Sequence, residues 1–120
     1  MIKKILIINV ILLTGLFGLS SIAQSKETPM KSEYVCYATF DVMEKLGTEV
    51  GRKDIVESSI TGKQELKKNY DMNFGIILSE IKKLNKEFYD QTIDPNQFSA
   101  QWQHCQSKTL PMMKARMGLN

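Results

Sequence analysis

The stretch KQELKKNYDMNFGIILSEIKKLNKEFYD, residues 63–90, decides the fold. Within it Leu66, Tyr70, Phe74, Ile77, Ile81, Leu84 and Phe88 recur every three or four residues, the repeat of one face of an α-helix. Charges of both signs alternate between them, as in Glu80-Ile81-Lys82-Lys83, which is the pattern of a solvated face. This predicts a long amphipathic helix over residues 63–90 whose apolar seam packs on other helices. Gly75 interrupts the seam at a cost of about 1 kcal/mol relative to alanine, and marks either a close neighbouring backbone or a bend.

Helices are expected on both sides of this seam. Upstream, Ser32 can cap a helix through Leu46, with Glu33 in its first turn and Gly47 suited to a left-handed stop. Cys36, Phe40 and Met43 share one apolar face of that helix, widened by Val35, Val42 and Leu46. From Thr48 to Gly62 the pattern is weak, and Asp54 is expected to cap a short turn that buries Ile55, Val56 and Ile60. Downstream, Asp94-Pro95-Asn96-Gln97 combines a cap, a proline at the first helical position and a glutamine three residues after the cap. Phe98, Trp102 and Cys105 line the helix that follows. Pro111 should kink or restart it, while Leu110, Met113 and Met117 carry the stripe on to Gly118. The expected fold is therefore all-α, a small three- to four-helix bundle over residues 32–120, preceded by a polar, flexible leader at 24–31 containing Pro29.

Residues 1–23 read differently. Lys3 and Lys4, an apolar run from Ile5 to Leu19, and Ser21-Ile22-Ala23 together have the form of a cleavable signal peptide, with cleavage expected after Ala23. A membrane anchor needs about twenty apolar residues, and this run is shorter and broken by Asn9, Gly15 and Gly18. No cysteine adjoins the cleavage site to carry a lipid. The working protein is thus expected in the periplasm or secreted, in a bacterial setting. In an oxidising compartment the two cysteines, Cys36 and Cys105, are expected to form one disulfide between the first and last helices, closing them around the long middle one.

Removal of Lys3 and Lys4 takes the formal charge from +3 to +1. With cations interspersed rather than clustered, no nucleic-acid partner is expected. Catalysis is not expected either: the chain has one histidine, no glycine-rich phosphate loop, no nucleophile-elbow serine and no zinc-ligand spacing. His104 with Met112, Met113 and Met117 forms a weak alternative, a soft ligand set for Cu(I) or haem, although methionines at helical spacing ordinarily fill core gaps. No cofactor is called for. The leading expectation is a small exported helical protein acting by protein–protein interaction, an inhibitor or immunity-type partner of another exported protein. Tyr34, Tyr37, Tyr89 and Trp102 are its candidate interface residues, because tyrosine and tryptophan concentrate at interfaces.

A second expectation comes from a resemblance. One cysteine in the first helix within Tyr34-Val35-Cys36, an aromatic at Phe40, and a basic amphipathic tail after Cys105 together loosely resemble the layout of the periplasmic acid-stress chaperones. The resemblance implies a helical exported chaperone. An aromatic-rich middle helix and a near-neutral charge depart from that layout.

Overall fold

The computed structural model describes residues 26–118; the expected signal peptide lies outside them. Among the described residues four helices follow one another: α1 (Lys31–Val50), α2 (Lys53–Asn69), α3 (Phe74–Tyr89) and α4 (Pro95–Arg116). The all-α expectation holds, with the difference that the fourth helix is a full one. No described helix is long and apolar enough to cross a membrane.

The expected long helix is two. α2 ends at Asn69, Tyr70 turns extended, and α3 begins after Asn73, whose side chain accepts the Ile76 N–H at 3.0 Å as an N-cap. Two outside groups hold the break open. The Tyr34 hydroxyl accepts the Asn73 N–H at 2.8 Å, and Glu27 pairs with the junction by accepting from Asp71 N–H at 2.9 Å and donating to the Asn69 carbonyl at 3.2 Å. These bonds take up backbone groups that a continuous helix would have used itself. The segment expected to be a flexible leader is therefore pinned at Glu27.

The weak stretch before Gly62 forms the first half of α2. Arg52 rather than Asp54 takes the cap position, with Asp54 inside the first turn and paired to Arg52. Of the three apolar residues expected to be buried, Ile55 and Val56 are half-buried and Ile60 is exposed. Gly62 is an interior residue of α2 rather than a boundary. The Phe40 ring lies over it so closely that a Cβ would sit 2.4 Å from Phe40 Cζ. Only glycine lets the two helices approach this far.

At the start of α1, the expected cap at Ser32 is replaced by one at Met30, two residues earlier, and the helix begins at Lys31. Glu33 Oε1 accepts the Met30 N–H at 2.6 Å, which satisfies an orphan donor of the first turn. The helix also runs through Gly47 to Val50, and Gly51 (φ 73°) supplies the left-handed stop. α4 likewise continues through Pro111 without ending.

The centre of the bundle is α1, not the middle of the chain. α1 packs against α2, α3 and α4; α2 also meets α4, whereas α3 and α4 share no backbone contact. Burial accordingly runs around α1, from Tyr34, Cys36 and Tyr37 through Ala38, Thr39 and Phe40 to Val42, where a single apolar face was expected. The Cys36–Cys105 disulfide, with Cα atoms 5.4 Å apart, ties α4 to this central helix instead of closing around a middle one.

Candidate functional site

The residues singled out by composition separate into core and surface. Tyr34 and Tyr37 belong to the core: the first holds the α2–α3 junction, and the second lies beneath Lys63 and Lys67, each 5.8 Å from its ring centroid. Trp102 is half-buried and meets Phe40 edge to face, with centroids 5.6 Å apart. Tyr89 alone of the four stands free, 87% exposed at the end of α3. The structure therefore does not bring these four together as one surface.

Nor does it gather the soft ligands. His104 is exposed, and Met112 follows eight residues later on the same helix, about 12 Å along its axis. Met113 and Met117 lie further still, so one ion cannot be shared among these side chains. Among the described residues no three His, Cys, Asp or Glu side chains group as metal ligands.

Two features that the sequence did not announce take their place. The first is a ridge on α3, where Phe74 is 68% exposed and Leu78, one turn on, is 40% exposed. Both flank the stripe of Ile77, Ile81, Leu84 and Phe88 that seats α3 on α1, and no other helix covers them. The signal was present in the sequence as surplus: an apolar stripe wider than one neighbour can bury.

The second is a cleft of about 310 Å³ where the ends of α1 and α3 meet the start of α4. Because α3 and α4 lean on α1 without touching backbone to backbone, their only ring contact is Phe88 on Phe98, edge to face with centroids 5.0 Å apart. The space beside that contact is lined by apolar side chains and one hydroxyl, that of Ser99.

Buried carboxylates tie α4 to its neighbours. Glu33, 1% exposed, bonds Lys108 at 2.8 Å while also accepting from Met30 N–H and the Ser32 hydroxyl. Glu65, equally buried, takes Arg116 Nε at 2.7 Å on Oε2. Burial pushes the Glu33 carboxyl up, but the Lys108, Met30 and Ser32 hydrogen bonds and the Lys108 charge outweigh it and hold the group below its ordinary value of 4.5. A lowered carboxylate stabilises the fold above its unfolded value and loses that contribution as pH falls through the folded one. Glu33→Gln is expected to cost about 1–3 kcal/mol at neutral pH and to flatten the acid limb of a stability–pH profile below about pH 4.5. Urea unfolding of both proteins at pH 7 and pH 3 checks this; parallel losses on acidification would assign the acid sensitivity to other groups.

Compared with known proteins, the chain matches no family model, no curated protein and no solved structure.

Proposed function

We propose that the chain is an exported, non-enzymatic interaction protein of a bacterial periplasm or exterior, an inhibitor or immunity-type partner that caps another exported protein. The observation that carries the reading is the Phe74–Leu78 ridge, two large apolar side chains a helical turn apart on a helix packed on one side only. An uncovered apolar helix face fits a partner groove in which residues at i and i+4 act as anchors. The export-type leader and the Cys36–Cys105 disulfide support an oxidising address.

The test pairs the native chain with a Phe74→Glu, Leu78→Glu double variant. Both positions are exposed, so the variant keeps its helical content and melting temperature. In affinity capture from an exported extract, the native chain is expected to hold one partner in equimolar amount, and the variant to retain at least about tenfold less. Equal capture by both, or none by either, overturns the reading. Suppression of client aggregation at low pH without a stoichiometric partner would favour the chaperone reading instead.

A further inference from the structure

We infer that the cleft at the α1–α3–α4 corner is a binding site for one small, neutral, largely apolar molecule, of the size of a medium-chain alcohol. Its walls are Met43 and Leu46 of α1, Phe88 of α3, Ile93 of the α3–α4 loop, and Phe98 and Trp102 of α4. A volume of about 310 Å³ lies at the lower end of the usual range of ligand sites. Gaps between helices of a bundle are where such sites form, and this one is a gap by construction of the fold: α3 and α4 are each seated on α1 and stand apart from one another.

The lining sets the chemistry of the ligand. It holds no lysine, arginine, histidine, aspartate or glutamate, so a charged group placed inside would lose its hydration with nothing in return. Ser99 offers a single hydroxyl, enough for one hydrogen bond. Asp94, between Ile93 and Pro95 in the chain, is not part of the lining; its carboxylate caps α4 by accepting the Asn96 N–H at 2.9 Å. A neutral alcohol therefore fits, and the carboxylate of the same chain length does not.

Trp102 is the chain's one tryptophan and lies in the wall, so its emission reports occupancy directly. The experiment titrates the oxidised protein with 1-decanol and, separately, with decanoate, recording tryptophan emission and melting temperature. With 1-decanol a saturable, one-to-one emission change and a rise in melting temperature are expected. Decanoate is expected to bind at least about tenfold more weakly. Ser99→Leu, which puts a larger apolar side chain at an exposed helical position of the lining, should keep the fold by circular dichroism and weaken decanol at least about tenfold. Binding that is absent, unsaturable, undiminished in Ser99→Leu, or equal for the two probes overturns the assignment. So does a concentration-dependent dimer that decanol cannot perturb, since a second copy would then cover the cleft. None of these outcomes depends on the Phe74–Leu78 ridge.

Discussion

Reduced, or with both cysteines replaced by alanine, the protein is expected to melt roughly 15 to 30 °C below its oxidised form. The bond spans 69 residues, and the loop-entropy estimate for a loop of that size is about 4 kcal/mol. A domain this small holds a net stability of about 5 to 15 kcal/mol, so the loss is a large share of the whole. The location adds to the effect. Both sulfurs are fully buried in the cluster formed by Tyr34, Tyr37, Phe40, Leu66 and Ile77, so alanine at the two positions also leaves unfilled space. Melts of the oxidised and reduced protein that coincide within a few degrees would show that α4 stays on α1 through packing alone.

Phe40→Ala is the second large effect, at about 3 to 5 kcal/mol. Phe40 is fully buried and joins three helices: it lies over Gly62 of α2 and meets Trp102 of α4. Gly62→Ala alone should cost about 1 to 2 kcal/mol, because the overpacking penalty exceeds what alanine gains in helix propensity. In the double variant the new methyl enters space that the ring has left. The combined cost is then expected to fall short of the sum by about 1 kcal/mol or more, measured by urea unfolding with unchanged denaturant slopes. Strictly additive costs would mean that the ring and the glycine do not press on each other.

Much of this architecture was legible in the chain, and the failures share a cause. Periodicity located Cys36 and Phe40 of α1, Ile77 of α3 and Cys105 of α4, and Asp94-Pro95 marked the start of α4. Phe74, Leu110 and Met117, expected in the same stripes, are exposed because no neighbouring helix reaches them. The break at residues 70–73 was hidden because its four residues keep the apolar positions in phase, so Leu66, Tyr70 and Phe74 still read as one stripe. Its local signal was Asn69, Asp71 and Asn73, three cap-forming side chains in five residues. Gly62 was misread as punctuation because a glycine needed for close approach and a glycine that ends a helix look alike until the partner ring is known. The same holds for the tyrosines. Amphipathic side chains are at home in a core as well as at an interface, and it is tertiary placement that separated buried Tyr34 from exposed Tyr89. The ridge showed in the spacing only as surplus apolar positions, and the cleft did not show at all, since it arises from α3 and α4 standing apart.

The pairing of Glu27 with the α2–α3 junction gives the molecule two distinguishable poles. Glu27 lies beside Asn69 and Asp71, a few residues before the start of α3 at Phe74, whereas Phe88 and the cleft lie about 20 Å away at the opposite end of α3. A bulky fusion or a surface tether joined at the amino side would thus crowd the ridge and leave the cleft open to solvent. A label at the other pole would do the reverse.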